Sequence, residues 1–281
     1  MRASQRTDPV AFHAEGPVWS QQWGGLRWVD MFTGDILSLH GDTVSRRHVG
    51  TLAAALRPRS AGGAVIALEH GFALEDSTGN IIELSALWDD PGLRMNEGGC
   101  DPDGRFYCGS MAYDQAPGAG SLYRLDPDGT VTTVLENLTI SNGLEWSPDG
   151  SLAYFNDTPT GRIAVLDYSR EFGLTGLRPF VEIPAEAGYP DGLTVDSQGC
   201  VWVALYGGSA VRRYMPDGRL DAIVEVGATN VTACTFGGPE LKQLFITTSR
   251  ENRGPDQDPL AGSLFMAEVG VAGRPVREFA G

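Results

Sequence analysis

Four residues with a side-chain oxygen stand beside glycine, in Glu15-Gly16-Pro17, Asn96-Glu97-Gly98-Gly99, Asn142-Gly143-Leu144 and Asp191-Gly192-Leu193. Carboxylate and amide oxygens are hard donors, and a set of them without histidine or cysteine suits a hard cation such as calcium or magnesium. Glu15, Asn142 and Asp191 offer two negative charges and one neutral carbonyl, which leaves coordination positions for water and substrate. An open site of that kind polarises a substrate oxygen as a Lewis acid. One Asn-Gly or Asp-Gly pair alone is ordinary turn chemistry; the weight lies in the recurrence. Asn96 and Asn142 are 46 residues apart and Asn142 and Asp191 are 49 apart, about the length of one four-stranded propeller blade.

The elements that must position these residues are short strands. Asp101-Pro102-Asp103-Gly104 precedes Arg105 to Gly109, Ser147-Pro148-Asp149-Gly150 precedes Ser151 to Phe155, and Asp196-Ser197-Gln198-Gly199 precedes Cys200 to Ala204. Each is a hairpin signal in which Asp and Gly supply the backbone that a tight turn demands. A further strand pair follows each, as in Gly120 to Leu125 with Val131 to Leu135. Looser versions lie at Gly25 to Leu39 and Ala64 to Leu84, and another at Val231 to Thr248 with Gly262 to Val269. The expectation is an all-β, six-bladed propeller with four-stranded antiparallel blades, one domain over residues 1–281 with 1–9 as an N-terminal extension. The first strand of each blade is expected innermost, which places the metal site at the mouth of the central channel. Ring closure is expected from Val10 to Ala14 joining the blade of Leu264 to Val269.

Composition excludes several classes. With 21 basic and 36 acidic residues the formal charge is −15, so nucleic acid and an anionic membrane are repelled. Met1 to Asp8 lacks the apolar region of a secretory signal, and the apolar run Ala64 to Leu74 is broken by Glu69 and His70. The reading is a soluble cytoplasmic protein, monomer or dimer. Cys100, Cys108, Cys200 and Cys234 form no Cys-x-x-Cys pair and read as core thiols. His13, His40, His48 and His70 fit no zinc-protease pattern, and no nucleophile elbow, phosphate loop or dinucleotide fingerprint is present. His13 lies two residues from Glu15, which puts both on one face of a strand. Trp19, Trp146 and Trp202 fall in strand patterns and read as packing between blades, with stacking on a sugar ring as the alternative.

Four segments carry a resemblance to a known family: Glu15 to Trp19, Arg94 to Met111, Ser141 to Ser147 and Asp191 to Asp196. They resemble the senescence marker protein, regucalcin and gluconolactonase-like family, in order and at matching separations, from about Glu15 onward. The resemblance implies metal-dependent hydrolysis of a sugar lactone, with Glu15, Asn142 and Asp191 as metal ligands and Arg94 and Asn96 as substrate contacts. It leaves the ion open among calcium, zinc, manganese, iron and magnesium, calcium first. Asp191 is expected to serve as general base on the attacking water, with a purely ligating role as the alternative. Where relatives carry an acidic lid, this chain has Ala112 to Gly120, so substrate preference does not carry over. Two other functions compete: phosphotriester hydrolysis by the same type of propeller, and calcium binding without turnover.

Overall fold

A computed structural model describes residues 1–281. Six four-stranded antiparallel sheets make up the chain, with three short 3-10 helices and no α-helix. Blade 1 holds strands Ala14–Ser20, Gly25–Asp30, Asp35–His40 and Thr43–His48, and blade 2 holds Ala53–Pro58, Ala64–Leu68, Phe72–Glu75 and Ile81–Glu83. Blades 3, 4 and 5 begin at Leu93–Cys100, Ser141–Trp146 and Tyr189–Val195. Blade 6 combines Asn230–Gly237, Gln243–Ser249 and Phe265–Glu268 with Ser4–Gln5. In blades 1 to 5 the strands pair in chain order, in blade 6 the chain's first strand is added outermost, and the inner strand of every blade packs against the inner strands of its neighbours. This is the six-bladed propeller.

Burial explains the sequence pattern from axis to rim. The second strand of blade 5, Val201–Tyr206, is apolar through Val201-Trp202-Val203-Ala204-Leu205 and every one of these is buried, because adjacent blades cover both of its faces. The outer strand of blade 1, Thr43–His48, reads Thr-Val-Ser-Arg-Arg-His and is mostly exposed. Aromatic residues fill the seams between blades. Trp146 of blade 4 lies 5.4 Å from the Tyr107 ring of blade 3, and Trp202 of blade 5 packs edge-on against Phe236 of blade 6 at 5.7 Å. The packing reading of the tryptophans therefore holds; none of the three lines the axial cavity described below.

The three Asp/Ser-x-x-Gly turns join the first and second strands of blades 3, 4 and 5. Asp101 Oδ1 accepts from the N–H groups of Asp103 and Arg105, and Asp196 Oδ1 accepts from those of Gln198 and Cys200. Each turn thus satisfies its own backbone locally.

Ring closure differs from the expectation. The strand that completes blade 6 is Ser4–Gln5, pairing antiparallel with Phe265–Met266, so the segment read as an extension carries the closing strand. Val10 and Ala11 instead donate to the Gly262 carbonyl on the way into blade 1, and Ala14 belongs to the inner strand of that blade. Polar Ser4 and Gln5 gave no apolar signal because this strand is exposed on the rim. The other end of the ring is bound by residues 271–281. They cross the face away from the strand starts, bonding to Ser197, Leu241, Trp146, Ser147, Pro58 and Gly104 in turn.

Candidate active site at the axial channel

All six inner strands slip register once. The slips fall at Glu15/Val18, Ala53/Ala55, Met95/Gly98, Asn142/Leu144, Pro190/Leu193 and Val231/Cys234. Such bulges turn a side chain out of the regular alternation. Here they sit at the same depth in every blade, so the residues at them share one space around the axis. Blade 2 presents Ala54 at its bulge, which supplies no donor; blades 1, 3, 4 and 5 present Glu15, Asn96, Asn142 and Asp191.

Glycine beside these residues serves close approach. A Cβ on Gly143 would stand 2.7 Å from the Asp191 carbonyl oxygen and 2.8 Å from Leu193 N, and one on Gly192 would stand 2.5 Å from Ala233 Cβ. Inner strands converge at the axis, and only a residue without a side chain fits between them.

A cavity of about 470 Å³ opens at this end of the channel, and Glu15, Arg94, Asn96, Asn142 and Asp191 all border it. The five residues singled out in the sequence, from four blades, are therefore brought together. Each is at most 6% exposed.

The amide of Asn142 is oriented by its partners. Thr158 Oγ1 donates to the Pro190 carbonyl at 2.9 Å and so is free to accept from Asn142 Nδ2 at 3.1 Å. That leaves Asn142 Oδ1 buried without a donor, and Asp191 Oδ1 is buried without one too. Glu15 Oε2 accepts only the N–H of Gly16, at 2.9 Å. Burial holds the pKa of both Glu15 and Asp191 well above the ordinary carboxylate range, helped at Glu15 by the charge of Glu97 and at Asp191 by the charges of Glu15 and Glu97. Buried acceptors without donors are rare because each forfeits its hydration. Two carboxylates and an amide oxygen, all facing one cavity, lack a positive partner.

These residues fit a divalent cation. The donor set is all oxygen, Asn142 Oδ1 and Asp191 Oδ1 accept no hydrogen bond, and its negative charges would be neutralised by such an ion. No group of three His, Cys, Asp or Glu is disposed to hold a metal ion by itself, so the set depends on the Asn142 amide.

Arg94 occupies the cavity wall. Its Nη1 donates to Asn96 Oδ1 at 2.7 Å and to the Met95 carbonyl at 3.1 Å, and its guanidinium lies 5.2 Å from the Phe32 ring and 5.7 Å from the Tyr113 ring. Nε is buried and unpaired, and no carboxylate stands within ion-pair distance. Burial lowers its pKa. Asn96 Nδ2 donates to the Ser141 carbonyl at 2.8 Å, so Asn96 is partly spent in fixing Arg94, with one N–H and one lone pair remaining.

Tyr206 and Glu251 at this site carry no sequence signal, whereas the sequence places His13 on one strand face with Glu15, and Gln115 within the segment Ala112 to Gly120. His13 is buried, with Nδ1 2.7 Å from Ser249 Oγ and Nε2 4.0 Å from Glu15 Oε1. Burial, helped by the charge of Arg94, pushes its pKa down to about 3, so it is neutral. Tyr206, Glu251 and Gln115 also border the cavity. They come from loops and strand ends outside the repeated motifs, and only ring closure brings blade 6 beside blade 1.

A six-bladed propeller with an oxygen-lined axial pocket is the class that fold and site define. The family profile described as SMP-30/Gluconolactonase/LRE-like region matches residues 13–250, and the chain belongs to this family. It is 35% identical to the pentonolactonase XacC of Haloferax volcanii over 98% of this chain and 97% of the relative. It is 33% identical to a 6-deoxy-6-sulfogluconolactonase of Pseudomonas putida, over 95% and 94%. A crystal structure of the calcium-binding protein regucalcin from Agrobacterium tumefaciens superposes with a TM-score of 0.91 at 29% identity, covering 99% of this chain and 96% of that one.

Proposed function

We propose that this protein hydrolyses the ring ester of a sugar lactone at the axial pocket, with the help of one divalent cation. The reading rests on the unclaimed Asn142 Oδ1 and Asp191 Oδ1, with Glu15 on the same cavity, beside Arg94, whose Nε is unpaired and whose guanidinium has no carboxylate partner. Family membership supports it, as do relatives named for opening pentonolactones and sulfogluconolactones. A scaffold propeller has no use for a buried, unpaired arginine next to buried carboxylates.

Glu15, Asn142 and Asp191 would hold the cation, and an all-oxygen set favours a hard one, calcium first. When bound, it supplies Lewis-acid polarisation of the lactone carbonyl. Asp191 Oδ1 accepts no protein donor and is therefore available to take a proton from the attacking water. The carbonyl carbon gains the water oxygen, the ring C–O bond breaks, and the departing oxygen receives a proton, so lactone and water become one hydroxy acid. Arg94 directs its free N–H groups toward the oxygen on which charge develops or toward ring hydroxyls. Asn96 holds Arg94 in that orientation through its Oδ1.

The deciding experiment measures ring opening over a panel of five- and six-membered aldonolactones, with and without chelator, alongside elemental analysis of the purified protein. Turnover that disappears with the metal and returns on its addition is expected. Lactone opening indifferent to chelation, in protein shown to be metal-free, would end the metal-dependent reading.

A further inference from the structure

Opposite Arg94, the cavity wall carries a carboxylate that the hydrolytic steps above leave unused. Glu251 follows the strand Gln243–Ser249 of blade 6, and blades 3 and 6 face each other across a six-membered ring. Its backbone is fixed on both sides: the N–H donates to Ser249 Oγ at 2.9 Å and the carbonyl accepts from Asn230 Nδ2 at 2.9 Å. Tyr206 OH donates to Oε2 at 3.1 Å. Asn252, the next residue, takes φ +58°, a conformation that costs a non-glycine residue energy and recurs at binding sites. That turn sets Glu251 and Asn252 together on the cavity border. Oε1 makes no hydrogen bond, and the side chain keeps 33% of its surface open.

We propose that Glu251, tethered by Tyr206, is a specificity-determining residue that accepts hydrogen bonds from the hydroxyls of a neutral polyhydroxylated lactone, the opposite side of which is read by Arg94. A guanidinium only donates and a carboxylate only accepts. The hydroxyl is the substituent that satisfies both, so a polyol fits between them. A lactone bare of hydroxyls has nothing for either wall, and an acidic substituent on the blade 6 side meets Glu251 charge against charge. His13 stands beside this carboxylate, Nδ1 to Oε2 3.6 Å.

This inference rests on the lactonase reading, so one arm of the test needs no turnover. Sorbitol and glucarate are titrated calorimetrically into the metal-loaded full chain, and hydrolysis is followed for glucono-δ-lactone, δ-valerolactone and glucarolactone. Wild type is expected to bind sorbitol in preference to glucarate. Glu251→Gln should weaken sorbitol by about 10- to 30-fold, the scale of a hydrogen bond to a charged acceptor. It should narrow the preference over glucarate, and raise KM for glucono-δ-lactone with kcat little altered. Tyr206→Phe, which frees the carboxylate without removing it, should move the same quantities in the same direction by a smaller factor. Sorbitol affinity and selectivity within twofold of wild type in both variants would overturn the assignment. So would equal loss of kcat/KM on δ-valerolactone and glucono-δ-lactone, which marks a general structural effect. Sorbitol binding that depends on Glu251 in a protein opening no lactone would keep this inference and sink the lactonase reading.

Discussion

Glu15 and Asp191 are buried carboxylates whose charge has no protein partner, and their substitution separates ligand from base. Glu15→Gln removes a charge from the cation set without touching the proposed proton acceptor. It is expected to lower metal affinity and, at saturating metal, to restore much of the turnover. Asp191→Asn should lose turnover by about 10²- to 10⁴-fold even with the ion bound, the scale of a general base. Metal content measured beside rate decides the matter: an Asp191→Asn variant that keeps both ion and turnover eliminates the base role. Glu97 makes a different prediction. Burial raises its pKa to about 7, against the ordinary 4.5, although Arg57 pulls the other way. A carboxyl raised in the fold binds its proton more tightly there than in the unfolded chain. Its stabilisation is therefore complete below pH 4.5 and lost as pH climbs through 7, to the extent of about 3 kcal/mol. Urea denaturation of Glu97→Gln at pH 5 and pH 8 should show a smaller loss between the two than wild type does; identical losses would mean that Glu97 does not titrate differently on folding.

At the scale of elements, the inner strand with its bulge is the unit that builds the site. Four blades use it to aim oxygen or amide groups inward, while blade 2 keeps the bulge and places alanine there. Conformation and chemistry are thus separable: the bulge belongs to the blade, the side chain it presents to the sequence. Gly143 and Gly192 are where this unit is most sensitive, because an added methyl group meets backbone or Cβ of the neighbouring inner strand at under 3 Å. Gly143→Ala and Gly192→Ala are each expected to cost about 1–3 kcal/mol by overpacking and to displace Asn142 and Asp191. Thermal denaturation together with metal affinity tests this, and a variant of unchanged stability and affinity would show that the axis has slack. The loop after Met111 belongs to the same scale. Tyr113 donates to Glu69 and lies against Arg94, and Gln115 with φ +58° reaches the cavity.

For the whole molecule the decisive feature is closure. Ser4–Gln5 joins the first residues to the last strand of blade 6, and residues 271–281 stitch the opposite face from blade 6 round to blade 2. Phe279 anchors that strap, 1% exposed within the core shared by blades 1 to 3. Phe279→Ala is expected to cost about 3–5 kcal/mol, as for a large-to-small change in a well-packed core, and to leave KM nearly unchanged because the strap lies on the face away from the cavity. Chemical denaturation and kinetics on one preparation check both halves. A cation that binds only the folded ring should also stabilise it by mass action, by about 2.7 kcal/mol at a hundredfold excess over Kd. Calcium added to chelator-treated protein should therefore raise Tm by several degrees. No helix of the molecule is long and apolar enough to cross a membrane.

Sequence alone determined the repeat. Turns of Asp, Ser and Gly at blade intervals and apolar second strands prescribe four-stranded units, since these are local choices that a chain encodes residue by residue. It also marked Glu15, Asn142 and Asp191 as candidate cation ligands, because an oxygen donor that recurs beside glycine at the start of successive units leaves a trace in the sequence, and Arg94 and Asn96 through their family likeness. Only the tertiary structure decided which strand closes the ring, that Asn142 turns its oxygen inward under the direction of Thr158, and that His13, Tyr206 and Glu251 border the same pocket. Those facts depend on contacts between residues as far apart as His13 and Ser249. Blades 1 and 6 lie at opposite ends of the chain and become neighbours only when the ring shuts, so no spacing along the sequence records their meeting.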